Sequence, residues 1–344
     1  MTTRHSPAGF SASYRDAMRA ELESIVDTCP PALRNILRYH MGWQDKEGRS
    51  CRSESGKFIR STFCLLSCRA VGGDATQIMP AAAAIELVHN FSLIHDDIED
   101  ASRERHHRPT VWKVWGESQA INAGDAMFTL AYLALLRLTG KGIADEKVTS
   151  AIELLSLACL DLCEGQYLDV DYENRLDVTI EDYLEMAARK TAALFAASTS
   201  LGAYLGGGNH NLVDSFRRFG KELGTAYQIS DDILGVWGVR ERVGKSAGDI
   251  AQRKKSLPVV YGLQNSGGAV REKLKKLYSQ KSIGAENIRW VTEVLEQLGA
   301  RDYAVKLAGE HYSKAVAALE TTRLDTSGRA PLQEMARALV KRDF

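Results

Sequence analysis

The run His95-Asp96-Asp97-Ile98-Glu99-Asp100 closes the apolar segment 81–94 with a group of aspartates. On a helix, Asp96 and Asp100 fall one turn apart on one face, with Asp97 three residues before Asp100. Like charges so spaced repel by a few tenths of a kcal/mol in an isolated helix. Solvation alone gives little reason to place them directly after buried-looking residues. Converging carboxylates suit a hard cation such as Mg²⁺, which keeps several waters and bridges to phosphates. For this cluster alone, a solvated helix end is an equal reading. A second run, Gln228-Ile229-Ser230-Asp231-Asp232-Ile233-Leu234-Gly235, sets two more acids in an apolar helical pattern, with Gln228 on their side of the helix. Two distant Asp-Asp pairs lead us to expect facing helices that share several metal ions. Such ions would neutralise a diphosphate and stabilise it as a leaving group.

Basic residues accompany both runs. Arg103, Arg105 and Arg108, with His106 and His107, follow the first; Lys245, Arg253, Lys254 and Lys255 follow the second. Lys57 and Arg60 lie upstream in Gly56-Lys57-Phe58-Ile59-Arg60, and Arg189-Lys190-Thr191 sits in mid-chain. Any one of these reads most simply as a solvated surface charge. Lys190 is harder to read so, because Ala187, Ala188, Ala192, Ala193 and Leu194 surround it. Arg binds phosphate oxygens as a fork and Lys as a point charge.

These side chains need a scaffold, and the scaffold reads as all-α. Residues 110–257 contain no proline, which permits long helices. Leu130, Leu133, Leu136 and Leu138 follow helical rather than alternating spacing. Thr179-Ile180-Glu181-Asp182 has the form of a capping box opening a run from Tyr183 to Leu205, which stops at Gly206-Gly207-Gly208. Residues 212–236 form another long candidate. With no linker, repeat or composition shift, we expect one domain over 1–344, with 1–20 a loose N-terminal extension.

The 344 residues carry 44 Lys+Arg and 44 Asp+Glu, and the zero net charge argues against a basic nucleic-acid binder. A 44% hydrophobic content argues against disorder. No signal-peptide core stands at the N-terminus, and no apolar stretch nears the roughly 20 residues of a membrane span. Cys64/Cys68 and Cys159/Cys163, each one helical turn apart, read as small buried thiols rather than metal knuckles. A reducing, cytoplasmic setting is expected.

Taken in order, these elements resemble the trans-isoprenyl diphosphate synthases, or polyprenyl synthetases, from about Gly56 to Pro258. Asp96-Asp97-x-x-Asp100 is similar to the family's first aspartate-rich motif and Asp231-Asp232 to its second. Gly56-Lys57-x-x-Arg60 and His89 resemble its isopentenyl diphosphate site. Arg105, Lys190-Thr191, Gln228, Lys245 and Lys254 match further positions. The resemblance implies the isoprenoid synthase type I fold, a helical bundle around a central cavity, and head-to-tail 1'-4 condensation. Mg²⁺, three ions per site, would be held by Asp96, Asp97, Asp100 and Asp231, with Asp232 in support. Arg105, Lys190, Thr191, Gln228, Lys245 and Lys254 would serve the allylic diphosphate. Lys57, Arg60, His89 and His106 would serve isopentenyl diphosphate. It further implies a homodimer.

Departures from the pattern are Gly235 in place of a third aspartate, His106 in place of a second arginine and Phe58 in place of the middle arginine of Gly-Lys-Arg-x-Arg. The stretch Lys245–Asp249 is also one residue short. In this family the growing product runs beside the helix of the first motif, so residues about one turn before Asp96 set its length. Phe91 as a single aromatic, with Ser92 beside it, resembles synthases of the C20 product, geranylgeranyl diphosphate; the C15 product, farnesyl diphosphate, is the alternative. A class I terpene cyclase and a non-catalytic subunit of a heteromeric synthase are the rival functions. Asp231-Asp232 and Lys57/Arg60 argue against the first; loss of metal-motif aspartates would favour the second, and Gly235 is the one departure of that kind.

Overall fold

A computed structural model describes residues 7–51, 58–238, 248–280, 282–322 and 324–340. Lys57 and Lys245, expected at the site, lie outside these residues, as does Gly56. In chain order the helices are α1 Pro7–Val26, α2 Pro31–His40, α3 Ile59–Ala70, α4 Met79–Glu99, α5 Val111–Trp115, α6 Glu117–Leu136, α7 Asp145–Tyr172, α8 Ile180–Ala187, α9 Ala193–Leu205 and α10 His210–Trp237. They continue as α11 Gly248–Ala251, α12 Leu257–Asn265, α13 Gly268–Tyr278, α14 Ala285–Gln297, α15 Ala300–Glu320 and α16 Thr326–Val340. Among the described residues, the extended structure is a two-residue pair, β1 Glu104–Arg105 with β2 Arg108–Pro109, and one bridge between Gln44 and Ser50. The all-α expectation holds. No described helix is long and apolar enough to cross a membrane.

The chain divides into two compact units. The first comprises residues 1–157, 197–217 and 322–332; the second comprises 158–196, 218–321 and 333–344. In the first unit, α4 is the central element. Its residues 79–88 are all buried, and Ala81, Ala82, Ala83 and Ala84 have no exposed surface. Small side chains let neighbouring helices pack close to its axis. Pro80 sits in its first turn, where an N–H has no helical partner to lose. The helix stops in a Schellman motif: Ser102 N–H reaches Asp97 O at 2.9 Å and Ala101 N–H reaches Ile98 O at 3.0 Å. The left-handed position is Ala101, at φ 49°, rather than the usual glycine. Met18 and Leu22 of α1 are buried.

The second unit has a core of Tyr172, Val178, Tyr183, Met186, Ala187, Ile229, Ile233, Leu257, Val260, Ala304 and Ala308. The capping box at Thr179 is present: Asp182 N–H donates to Thr179 Oγ1 at 3.1 Å, and Thr179 N–H to Asp182 Oδ2 at 2.9 Å. The run it opens is not one regular helix. A π-helical turn, Ala188–Ala192, joins α8 to α9 and contains Lys190 and Thr191. Among the cysteines, Cys64, Cys68 and Cys159 are buried thiols, as expected, but Cys163 is exposed. The buried stripe of α7 passes through Cys159, Leu162 and Gly165, leaving Cys163 beside it.

Candidate active site

In the first unit, α4 delivers both ends of a polar track. Asp96 and Asp100 stand half-buried at its C-terminal end. Asp97 is different: its side chain is 3% exposed, and both of its oxygens accept from Arg105. Arg105 Nε donates to each oxygen at 3.1 Å, and Nη2 donates to Oδ1 at 2.9 Å. The same Nη2 lies 3.7 Å from Asp96 Oδ2. Burial is the largest influence and opposes the Arg105 charge, but the Asp97 hydrogen bonds and the charges of Asp97, Asp96 and Asp100 together outweigh it, so its pKa rises above the ordinary value. The middle carboxylate of this motif is thus committed to protein, while its two outer neighbours line one helical face.

About two turns earlier, His89 Nε2 lies 3.2 Å from Arg60 Nη1. Arginine only donates, so Nε2 is the lone-pair nitrogen of a neutral ring. Burial, followed by the Arg60 charge, pushes the His89 pKa well below the usual range. His40 behaves alike. Its Nε2 lies 3.1 Å from Asn90 Oδ1, and burial followed by the Arg105 charge brings its pKa to about 3. Neutral imidazoles beside Arg60 and Arg105 leave the guanidiniums as the local positive charge. His106 is exposed in the turn between β1 and β2, at φ 51°. Phe58 caps α3 in the left-handed region with its side chain buried, so it does not present itself in place of an arginine head group.

Phe91 is 6% exposed and meets Phe128 of α6 edge-on at 5.0 Å; Phe128 meets Tyr132 at 5.1 Å. The residue that the family resemblance nominates for product length therefore belongs to an aromatic ladder reaching onto a second helix. Ser92, half-buried, donates its hydroxyl to His89 O at 2.8 Å.

The second unit holds a relay. Gln228 Nε2 donates to Asp232 Oδ1 at 2.8 Å, which turns Oε1 toward Thr191, whose hydroxyl donates to it at 2.5 Å. Thr191 thus keeps its oxygen lone pairs for another group. Asp232 is buried, and its second oxygen accepts the Leu257 N–H at 2.8 Å, a free N–H in the first turn of α12. Burial, followed by the Asp249 charge, pushes the Asp232 pKa up to about 7. Asp231, one residue earlier, is half-buried. As in the first motif, one carboxylate is spent on the protein and its neighbour is not wholly enclosed. Lys190 Nζ binds Asp169 Oδ2 at 2.5 Å, and Lys254 Nζ lies 3.6 Å from the same oxygen.

Gly235, the departure from the second motif, has a structural counterpart. A Cβ there would lie 1.9 Å from Asp249 Oδ2. The space of a side chain at 235 is already filled by a carboxylate from α11. Sequence reasoning missed Asp249 and Asp169. The available signals were Gly235 itself and Gly165, a glycine in mid-helix, where it costs about 1 kcal/mol relative to alanine unless something approaches closely.

Long helices bearing an aspartate-rich end, and a lysine–threonine π turn beside a second aspartate pair, define an isoprenoid synthase of the type I class. The family model "Polyprenyl synthetase" matches residues 44–295. A (2E,6E)-farnesyl diphosphate synthase of Mycobacterium tuberculosis is 36% identical over 325 residues, 93% of this chain and 89% of that protein. A geranylgeranyl diphosphate synthase of the same organism is 36% identical over 318 residues, 91% and 90% of the two chains. The crystal structure of a polyprenyl synthetase from Streptomyces coelicolor A3(2) superimposes with a TM-score of 0.90 at 35% identity, covering 97% of this chain and 99% of that one. The chain belongs to the polyprenyl synthetase family, and it is a trans-prenyltransferase.

Proposed function

We propose that the protein condenses isopentenyl diphosphate head to tail, 1'-4, with an allylic diphosphate and that its main product is the C20 compound, geranylgeranyl diphosphate. The observation that carries the reaction is the division of labour within each aspartate pair. Asp97 and Asp232 are buried in protein hydrogen bonds, while Asp96, Asp100 and Asp231 are half-buried carboxylates. An all-oxygen donor set of this kind fits Mg²⁺, and Asp96, Asp100 and Asp231 would hold it. When bound, Mg²⁺ supplies the Lewis-acid charge that stabilises diphosphate as a leaving group. Three ions per site follow from the family resemblance.

Arg105, Lys190, Lys245 and Lys254 bind oxygens of the allylic diphosphate. Arg60 and Lys57 bind isopentenyl diphosphate, and the neutral ring of His89 fixes the Arg60 fork; His106 adds a contact from the β1–β2 turn. Thr191, oriented by Gln228, turns its lone pairs toward the positive charge that develops on the allylic carbon. The double bond of isopentenyl diphosphate attacks that carbon, and the departing diphosphate accepts the proton lost. Phe91 and Phe128 support the C20 assignment as the aromatic stop beside α4. Farnesyl diphosphate is the competing product, and relatives of both kinds are equally similar.

A homodimer in the cytoplasm completes this reading, with one domain serving each site. The homodimer is supported by large apolar side chains left 42–68% exposed: Ile121, Leu133 and Leu136 on α6, and Leu157, Leu160, Tyr167 and Val170 on α7. The test is a product assay with purified protein, Mg²⁺, isopentenyl diphosphate and dimethylallyl, geranyl or farnesyl diphosphate. Elongation ending mainly at C20 is expected. No elongation from any primer would overturn the synthase reading, and a C15 end product would overturn the length assignment.

A further inference from the structure

Gly165, Asp169 and Glu173 stand at four-residue spacing along α7 and its C-terminal end, which puts them on one face of the helix. Each engages a basic residue. At Gly165 the backbone of Lys190 comes so close that a Cβ would lie 2.1 Å from the Lys190 nitrogen. One turn on, Asp169 Oδ2 takes the Lys190 ammonium at 2.5 Å and has the Lys254 ammonium at 3.6 Å. At the next position, the Glu173 carbonyl accepts from Lys255 Nζ at 2.9 Å. Lys255 is 3% exposed and lies over the Tyr278 ring at 5.2 Å, so the segment carrying Lys254 is anchored by its immediate neighbour.

Two lysine head groups near one oxygen repel each other, and each stem carries about 2 kcal/mol of rotamer entropy. A lone ammonium on a flexible stem is a poor preorganised donor, and preorganisation is what stabilises charge developing on a leaving group. The Asp169 side chain, 11% exposed, offsets about one of the two positive charges and fixes where both sit. Gly165 fixes the backbone of Lys190, and the π turn supplies the local geometry for that approach.

We propose that Asp169 is a positioning residue for the diphosphate site. Its carboxylate holds Lys190 and Lys254 as one cationic pair for a single diphosphate, with Gly165 allowing the close approach that brings Lys190 within its reach. This rests on the synthase reading above. Asp169→Asn keeps the shape and removes the charge. With each substrate varied in turn, kcat/KM for the allylic diphosphate should fall about tenfold, and KM for isopentenyl diphosphate should stay within twofold. Lys254→Met should cost about tenfold in the wild-type background and less than threefold in Asp169→Asn, because the two act as a unit. Gly165→Ala should lower the same constant and leave isopentenyl diphosphate unaffected.

Inorganic diphosphate with Mg²⁺, followed by calorimetry, gives a readout independent of turnover. Its affinity should show the same non-additivity between Asp169→Asn and Lys254→Met. Additive losses, equal changes for both substrates, or a lowered melting temperature with unchanged kinetic and binding constants would each overturn the proposal. If Asp169→Asn does not fold, Gly165→Ala and Lys254→Met decide the matter through the same calorimetry. Absence of prenyl product from the wild type would refute the synthase reading, while the diphosphate titrations would still decide the role of Asp169.

Discussion

Replacing Arg105 by methionine tests whether the middle aspartate of the first motif is held by the protein. Asp97 is 3% exposed, and both of its oxygens accept Arg105 hydrogen bonds of 2.9–3.1 Å. Charge centres about 4 Å apart at an effective dielectric of about 20 attract by roughly 4 kcal/mol. Breaking a buried pair from one side costs about 3–5 kcal/mol, because the remaining charge is left without its counterion. Arg105→Met should therefore lower unfolding free energy by about 3 kcal/mol, at the low end because the arginine is one-fifth exposed. Asp97→Asn combined with Arg105→Met removes both charges and should recover about 2 kcal/mol of that loss. Urea unfolding followed by circular dichroism, read at the first transition where several appear, gives these differences. A loss below about 1 kcal/mol, or a double variant no more stable than the single, would refute the clamp. Arg105 would then be a diphosphate ligand with only an incidental contact to Asp97.

Other expectations follow from single features. Asp96→Ala should nearly abolish product formation with the fold intact by circular dichroism. Phe91→Ala should shift products beyond C20 in the chain-length assay, and Phe128→Ala should act in the same direction because the two rings are in edge contact. Ala101 occupies a left-handed position at φ 49°, so Ala101→Gly should raise stability by roughly 1 kcal/mol, read as a higher urea midpoint. The folded pKa of His40 lies at about 3 against 6.5 for a free histidine. The unfolded chain therefore binds a proton that the folded one refuses. Its stabilising effect is complete above pH 6.5 and declines as pH falls toward 3, by about 1.4 kcal/mol per unit. His40→Gln, which can still donate to Asn90, should remove about 2 kcal/mol of the difference between pH 7 and pH 5.

The parts of this molecule that sequence reasoning finds are those with local causes. Thr179 and Asp182 bond each other across one turn, and the long helices α6 and α10 follow from their own apolar spacing. Asp96, Asp97 and Asp100 stand out because acids seldom follow such an apolar run. What escapes the sequence depends on contacts between segments. No local signal marks the π turn at 188–192, and its carrier, Thr179 to Leu205, reads as a regular helix. Asp169 looks like one acid among several on α7 until Lys190 and Lys254 are seen at its oxygen. The splitting of each aspartate pair into a buried member and a half-buried member is also invisible from spacing, because Asp97 and Asp232 are claimed by Arg105 and by the backbone of Leu257. Gly235 reads as a lost ligand, although its space is occupied by Asp249.

The π turn carries a consequence for how this chain tolerates change in length. A π turn amounts to one residue inserted into an α-helix, with the surplus confined to Ala188–Ala192. Deleting Ala188 would let α8 and α9 fuse into a regular helix, with a better hydrogen-bond ladder through 188–192. It would also rotate Lys190 and Thr191 by about 100° relative to α8, breaking their register with Asp169 and Gln228. The segment thus holds a readily available repair that would improve the helix and disable the enzyme. An alignment gap of one residue at this place would mark a relative that has given up the chemistry.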